Sequence, residues 1–350
     1  MTVQRADLDK LSVFCDAVLR AAGADAASAA AATRAMLHAS RLGVDSHGIR
    51  LLPHYDMVFR GGRLNGAPQM TFERKRAGSG LLDADNAHGA LAAYTATDHA
   101  CDLAREAGIG AVGIRRTSHF GPAGAYALAM AEAGMIGIVM CHSDSFVRLH
   151  DGAERFHGTN PIAAAVPTGQ GQPWLFDMAT SAVPYNRVQL YKSLGLKLPE
   201  ATASDEDGVD TRDPNAVEML APLGGEFGFK GAGLAGLAEI FSGVLTGMKI
   251  SPEILPMGGP DLSTPRDMGA FVICIDPEGF IGQSLVLAGM DRYLQALRGS
   301  AAPDGQTVMA PGDREWAEAA KRRQEGVPLD PATATAFELL AKGAGITAPF

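Results

Sequence analysis

Apolar side chains recur every three to four positions along the first 60 residues, which is the spacing of helices that bury one face. This spacing predicts helices over 6–22 and 26–42, the first of them ended by Gly23. A third helix is predicted to end near residue 61. Because a proline fits the first turn of a helix and disturbs its interior, Pro53 requires that this helix either starts near Leu51 or is kinked.

From residue 70 onward, short apolar runs alternate with longer helical patterns, which predicts an α/β fold with helical terminal segments around a sheet. Strands are predicted over 70–76, 80–85, 110–115, 136–141, 162–166, 174–177 and 271–275, helices over 90–107, 123–133, 183–194, 233–245 and from 279 onward, and polar loops over 200–214 and 251–265. The chain is expected to divide into an N-terminal helical segment (1–70), a sheet-centred core (71–280) and a C-terminal helical segment (281–350) that packs with the N-terminal one.

Composition and charge narrow the class of protein. An apolar fraction of 47% and a charged fraction of 20% in 350 residues are typical of a soluble globular protein. The formal net charge of −9 speaks against a broad surface for nucleic acid or for an anionic membrane. The sequence shows no secretory signal, no run of 18 apolar residues and no CxxC pair among its four cysteines. We therefore expect a cytoplasmic protein with reduced thiols.

Asp45-Ser46-His47-Gly48 combines groups that acid/base chemistry needs. A histidine exchanges protons near neutral pH, a neighbouring serine can orient it, and a glycine lets a ligand approach the backbone. The alternative is a turn between two helices with a half-buried imidazole. A Ser-His-Asp hydrolase is disfavoured, because three adjacent residues rarely converge in a relay and no nucleophile elbow is present. The nine histidines show no HExxH spacing, so no metal site is predicted.

Two glycine patterns resemble a nucleotide-binding fingerprint. Residues 108–113 match GxGxxG, but they end a predicted helix and enter a strand, the reverse of the order that a pyrophosphate requires, and we reject this match. Residues 231–236 open a predicted helix without a clear strand before them. Lys230 and free N–H groups there either hold a phosphate, or the lysine faces solvent beside a tightly packed helix.

Four predicted strands end in polar clusters, and α/β proteins usually build their sites at such ends. The clusters are Thr117-Ser118-His119-Phe120-Gly121-Pro122-Ala123-Gly124, Cys141-His142-Ser143-Asp144-Ser145, Gly158-Thr159-Asn160-Pro161 and Asp177-Met178-Ala179-Thr180-Ser181. His119 is an acid/base, a phosphate or amide partner, or a core histidine. Four such clusters in one chain are hard to explain by core formation alone.

These motifs, together with Phe229-Lys230-Gly231-Ala232-Gly233-Leu234, occur in an order and spacing that resemble the malate/L-lactate dehydrogenase family of NAD(P)-dependent oxidoreductases. The resemblance covers about residues 8–280 and is strongest to the ureidoglycolate-oxidising members around 137–167. It implies a non-Rossmann fold with a largely antiparallel central sheet, and a dinucleotide- and substrate-binding core over 71–280. It also implies a homodimer in which the partner can complete the active site, and NAD or NADP as cofactor, with NAD slightly favoured.

The resemblance also implies roles for individual residues. His47 and His119 are the acid/base candidates, and Ser46 orients His47. The implied cofactor contacts are His119, Phe120, Gly121, Pro122, Ala123, Ser143, Asp144, Asp177, Met178, Ala179 and Lys230, and the implied substrate contacts are Arg50, Thr159 and Tyr55. Arg187 is either a contact for a 2′-phosphate of NADP or a surface arginine.

One position departs from the family pattern. The family commonly places an arginine for the substrate carboxylate four residues after the motif histidine, where this chain has Leu51, and Arg50 stands one residue earlier. Arg50 either reaches the same anion from the other flank or points to solvent or a subunit interface. This departure bears on the identity of the substrate more than on the reaction class.

The expected reaction is hydride transfer between nicotinamide and C2 of a small 2-hydroxy or 2-oxo carboxylate, of malate, lactate or ureidoglycolate type. Two alternatives remain. One is a reductase of cyclic imino acids such as piperideine- or pyrroline-2-carboxylate, and the other is a nucleotide-binding protein without catalysis.

Overall fold

The computed structural model describes residues 4–350, except for the side chains of Asn186 and Ser193. Its helices are α1 (Leu8–Ala21), α2 (Ala26–Arg41), α3 (Leu52–Arg60), α4 (Gly89–Ala107), α5 (Gly124–Glu132), α6 (Tyr185–Leu194), α7 (Phe229–Glu239), α8 (Gln283–Arg298), α9 (Asp313–Glu325) and α10 (Pro331–Ala344). Its strands are β1 (Gln4–Ala6), β2 (Thr71–Arg76), β3 (Ser79–Asp83), β4 (Ile109–Thr117), β5 (Ile136–Cys141), β6 (Val147–Arg148), β7 (Arg155–His157), β8 (Ile162–Val166), β9 (Trp174–Met178), β10 (Ala203–Ser204), β11 (Met219–Leu220), β12 (Met268–Ile275) and β13 (Val327–Leu329).

The central sheet has seven strands in the order β2-β3-β4-β12-β5-β8-β9. Only the β3–β4 pair of this sheet is parallel, so the predicted α/β fold with a largely antiparallel sheet is confirmed. The long β12 lies between β4 and β5, and its burial on nearly every residue explains its continuous apolar sequence. None of the described helices is long and apolar enough to span a bilayer.

An alanine-rich core joins the sheet to α4 and α5. Small side chains let these helices approach the strands closely. At Gly110 on β4, a Cβ atom would lie 1.9 Å from the carbonyl oxygen of Ala100 on α4, and Gly108 ends α4 in the left-handed conformation with φ of 80°. The glycines at 108–113 therefore end a helix and allow a close helix–strand contact. This agrees with the rejection of the GxGxxG match as a nucleotide-binding fingerprint.

The terminal segments share a second core. Leu11 on α1, Met36 on α2, Tyr55 on α3 and Phe337 on α10 are fully buried in it. β1 pairs antiparallel with β13, so the two ends of the chain also share a small sheet. The division into three parts over 1–70, 71–280 and 281–350 stays a prediction.

The structure differs from the predicted elements in three places. Four short strands, which sequence periodicity does not detect at two or three residues each, form a second sheet in the order β10-β11-β6-β7, and β10 lies inside the predicted loop over 200–214. The segment after residue 279 is mainly helical as predicted, but it also contains the unpredicted three-residue strand β13. α7 starts at Phe229 instead of residue 233, so Lys230 and the following glycines lie inside the helix.

The third helix starts at Leu52 with Pro53 in its first turn. Of the two alternatives predicted for this helix, a start near Leu51 is therefore the one observed, and a kink at Pro53 is not needed.

A buried guanidinium connects α9 to the turn that follows α2. Arg322 is 5% exposed, donates to both carboxylate oxygens of Asp45, and donates to the carbonyl oxygen of Ser40 at 2.7 Å. Glu318, one turn earlier on α9, accepts from Arg322 Nε at 2.6 Å. The C-terminal segment therefore holds the turn that carries Ser46 and His47.

We expect Arg322→Met to lower the free energy of unfolding by about 1–3 kcal/mol, because it leaves the half-exposed Asp45 carboxylate and the Ser40 carbonyl without their donor. Urea unfolding followed by circular dichroism measures this loss. Arg323→Met on the exposed side of the same helix is the matched control, with an expected change within about 0.5 kcal/mol. Equal stabilities of the two variants would contradict the assigned role of Arg322.

Candidate active site

The Ser46–His47 turn joins α2 to α3 through two short 3-10 turns, Asp45–His47 and Ile49–Leu51. The hydroxyl oxygen of Ser46 lies 2.8 Å from Nδ1 of His47, so this serine fixes the imidazole as predicted from the motif. The structural role of Gly48 differs from the expected one. A Cβ atom there would lie 2.2 Å from Ser40 Oγ, so the glycine lets the turn approach α2 instead of exposing backbone to a ligand.

The aspartate of the motif takes no part in a catalytic relay. Both oxygens of Asp45 are held by Arg322, and the atom bonded to Nδ1 of His47 is a serine hydroxyl. This geometry excludes a Ser-His-Asp arrangement at His47, in agreement with the argument from sequence.

His119 lies in the loop between β4 and α5, and its ring faces that of His47. The two ring centroids are 5.9 Å apart and the ring planes are inclined by 25°. The hydroxyl oxygen of Tyr55 lies 2.9 Å from Nδ1 of His119. Tyr55 itself is 2% exposed and packs edge-on against His88. The structure therefore places Tyr55 behind His119, where it positions the imidazole, and outside the lining of the cavities described next.

Two cavities meet at His47. The first, here called the inner cavity, has a volume of about 290 Å³ and is lined by both histidines, Ser46, Phe120, Gly121, Ser143, Asp144 and Thr159 among others. The second, the outer cavity, has a volume of about 400 Å³ and is lined by His47, Gly121, Pro122, Ala123, Thr159, Asp177, Met178 and Ala179 among others. The polar ends of four strands therefore converge on one site, as the sequence predicted. A larger groove of about 770 Å³ between α1, α2 and α5 contains neither histidine of the pair.

Burial keeps both histidines uncharged. It lowers the pKa of His47 below its ordinary value of 6.5, and it lowers the pKa of His119 still further, since a positive charge on His47 would oppose one on His119. Each Nδ1 is engaged by a hydroxyl group, and the described hydrogen bonds leave Nε2 of each ring free. A neutral imidazole with Nδ1–H donated to the hydroxyl oxygen has its lone pair on Nε2, which is the form that accepts a proton.

Asp177 closes one side of the outer cavity at the end of β9. Its Oδ2 accepts from the backbone N–H of Gly124 at 2.8 Å, which ties it to the start of α5. The surrounding protein raises the pKa of this carboxyl group to about 6, and the negative charge of Glu315 adds to the rise. A Cβ atom on Gly124 would lie 2.8 Å from Asp177 Oδ2, so the glycine makes this contact possible.

Thr159 is held in place by a buried network around its neighbour. The side-chain N–H₂ of Asn160 donates to Glu239 Oε2 at 2.8 Å and to the carbonyl oxygen of Ala235 at 3.1 Å. Glu239 also accepts from the N–H and the hydroxyl of Ser251, both at 2.6 Å. Asn160 adopts φ of 31°, a left-handed value that asparagine tolerates better than most residues. The turn at 158–161 is therefore fixed to the end of α7.

Besides Tyr55, three residues predicted to contact ligands do not line either cavity. Arg50 points to the far side of its turn, where its Nε lies 3.4 Å from Asp330 Oδ2. Lys230 is exposed on α7, with its Nζ 5.2 Å from the ring centre of Phe227. Arg187 is exposed on α6, one turn after Pro184, which lines both cavities. Asp144 lines the inner cavity as expected and also pairs with the buried Arg266.

Several lining residues were missed by sequence reasoning. Met257 and Met268 line the inner cavity, and His38 and Glu315 line the outer one. Apolar residues in a loop or a strand carry no local signal of a site. Glu315 belongs to a helix more than 130 residues away from β9, and no motif marks it.

The residues present fit a nicotinamide dinucleotide. Two connected cavities offer an extended space, a carboxylate that accepts hydroxyl donors at Asp177, and hydroxyl groups at Ser143 and Thr159. The described residues contain no group of three or more histidines, cysteines or carboxylates placed to bind a metal ion.

Known proteins are similar to this chain in sequence and in fold. The chain matches the sequence model of the malate/L-lactate dehydrogenase family over residues 6–338. It is 34% identical over 310 residues to the ureidoglycolate dehydrogenase (NAD(+)) of Escherichia coli strain K12, covering 88% of this chain and 87% of that protein. It is 34% identical over 330 residues to the malate dehydrogenase of Pyrococcus abyssi, covering 92% and 90%. The crystal structure of malate dehydrogenase from Entamoeba histolytica superposes with a TM-score of 0.93 at 27% identity, covering 100% of both chains.

The match extends from α1 to α10 and includes both histidine motifs. The chain therefore belongs to the malate/L-lactate dehydrogenase family and is an NAD(P)-dependent oxidoreductase acting on the CH–OH group of 2-hydroxy acids.

Proposed function

We propose that this enzyme oxidises a small 2-hydroxy acid reversibly at the junction of the inner and outer cavities, with His47 and His119 as the acid/base pair. The observation that supports this proposal is the pair of neutral imidazoles, 5.9 Å apart between ring centres, at the point where the two cavities meet. Nicotinamide supplies the hydride acceptor when it is bound.

The protein contributes a base of fixed orientation. In oxidation, the hydroxyl proton of the substrate passes to Nε2 of His119 or His47, whose Nδ1–H is held by Tyr55 or Ser46. In reduction, the same nitrogen returns the proton. Thr159 is proposed to hold the substrate, because it lines both cavities and its turn is fixed by Asn160 and Glu239.

The charges of the outer cavity support NAD over NADP. Asp177 and Glu315 are both acidic and both line this cavity, so they would repel a 2′-phosphate placed near them. The proposed cofactor contacts are His119, Phe120, Gly121, Pro122, Ala123, Ser143, Asp144, Asp177, Met178 and Ala179. Lys230 and Arg187 remain proposals for contact with the phosphates, since both are exposed outside the cavities.

We also propose a homodimer in the cytoplasm. One face of α7 and the following turn carries an exposed apolar stripe of Phe229, Leu234, Leu237, Ile240, Val244 and Leu245. Gly233 and Gly236 lie in the same helix, and a Cβ atom at either would contact nothing in this chain. Glycines without a contact inside the chain fit close approach by the same helix of a second copy.

The proposed cytoplasmic location is supported by the cysteines. The four buried cysteines form no disulfide, which is typical of a reducing compartment.

Replacing either histidine tests the proposed chemistry. One of the two variants, His119→Asn or His47→Asn, removes the base. We expect that variant to lower kcat by about 10²–10⁴ in an NAD-coupled assay over 2-hydroxy acids, 2-oxo acids and cyclic imines. Tyr55→Phe and Ser46→Ala should also lower kcat. Each should lower it less than replacement of the histidine that it contacts, which is His119 for Tyr55 and His47 for Ser46. His99→Asn, which alters a ring stacked on Phe72 away from the site, is the control. Full turnover by both histidine variants would overturn the proposal.

The pH profile reports the protonation state of this base. Because burial lowers both pKa values below the ordinary 6.5, the fall of kcat/KM for oxidation on the acid side, where the base becomes protonated, should be centred below pH 6.5. Saturating cofactor keeps the Asp177 carboxyl group, with its pKa near 6, from contributing. An acid limb centred at pH 7 or above would be incompatible with two buried neutral imidazoles.

Sedimentation velocity tests the proposed dimer. Leu237→Glu places a charge in the exposed stripe of α7 and should shift the wild-type dimer to a monomer. Leu339→Glu alters a side chain on α10 that is more exposed than Leu237 and should leave the dimer intact. A wild-type monomer, or two variants with the same sedimentation coefficient as the wild type, would refute this interface.

A further inference from the structure

The inner cavity offers no free positive charge to a ligand. No lysine or arginine occurs among the described residues that line it, and Asp144 is its one carboxylate. His47 and His119 are uncharged near neutral pH. His142 also lines the cavity, but its two ring nitrogens lie 2.7 Å and 3.2 Å from the carbonyl oxygens of Lys249 and Gly269 and are therefore occupied.

The two guanidinium groups behind this wall are already engaged. Arg266 is 3% exposed, pairs with Asp144 and donates to the carbonyl oxygen of Leu255 at 2.8 Å. Arg63 is also buried and donates to the carbonyl oxygens of Met257, at 3.1 Å, and Asp261. Moving either guanidinium group to a ligand would break buried hydrogen bonds. This costs more free energy than moving an exposed arginine would.

Three apolar side chains form part of the wall of the inner cavity. Leu51, Met257 and Met268 line the inner cavity. Leu51 lies one turn after His47, and the neighbouring Arg50 is turned away toward Asp330. Leucine and methionine accept an uncharged group but give a carboxylate no hydrogen-bond donor.

We propose that this enzyme selects 2-hydroxy acids with one carboxylate and an uncharged side chain, and that Leu51 determines this selectivity. The proposal rests on the hydride transfer proposed above. The oxidised nicotinamide ring carries one positive charge, which offsets one carboxylate. A second carboxylate in the inner cavity would lose its hydration beside Leu51 and the methionines without gaining a countercharge.

A matched pair of substrates tests the selectivity. Malate and its C4 amide have the same size and differ by one negative charge. With NAD at saturation, we expect the amide to have a kcat/KM at least about tenfold higher than malate. An equal or higher kcat/KM for malate would overturn the proposal while leaving the hydride transfer intact.

Leu51→Arg supplies the missing cation and should raise the malate-to-amide ratio of kcat/KM by about tenfold or more. Met57→Arg adds the same charge on the exposed side of α3, outside the cavity lining, and should leave the ratio unchanged. Equal ratios in the two variants would refute the role of Leu51.

Calorimetric titration with each acid, with and without NAD, gives a readout independent of turnover. Tighter binding of the amide supports the selectivity even if neither acid is turned over, in which case the proposed hydride transfer fails alone. Binding of neither acid to the NAD-loaded protein, together with no turnover, would overturn both proposals.

Discussion

The position of His47 depends on a cation that belongs to the opposite end of the chain. Arg322 bonds both the Asp45 carboxylate and the Ser40 carbonyl, and these two groups flank the sharp turn in which Gly48 touches α2. An isolated turn of this length has no stability of its own. Once the turn is fixed, Ser46 sets the imidazole of His47, and the loop after β4 brings His119 and Tyr55 to its other side. The site is thus built by contacts among three segments distant in sequence.

Burial and hydrogen bonding both act on the two histidines. Burial lowers the pKa of each imidazole, and the hydroxyl groups of Ser46 and Tyr55 engage Nδ1 of His47 and His119. The pKa of Asp177 rises to about 6 although Gly124 donates to its carboxylate, and the negative charge of Glu315 contributes to this rise.

The sequence predicted the parts of this molecule that local patterns encode. The long helices and strands follow from apolar spacing, and the clusters around His47, His119, Thr159 and Asp177 do meet in space. What it missed depends on tertiary contacts. The direction of Arg50 is decided by Asp330, nearly 300 residues away, and the reason for Gly48 is the hydroxyl of Ser40. The two-residue strands β6, β10 and β11 exist because they pair with one another, and too few residues take part to show an alternation.

The pairing of β1 with β13 has a consequence for synthesis. Gln4 pairs with Leu329, so this strand finds its partner only after residue 329 has been made. The Asp45–Arg322 contact has the same property. Contacts of such sequence separation slow folding, because a long loop must close before they form. The turn that carries Ser46 and His47 can therefore gain its contact with Arg322 only after residue 322 has been made.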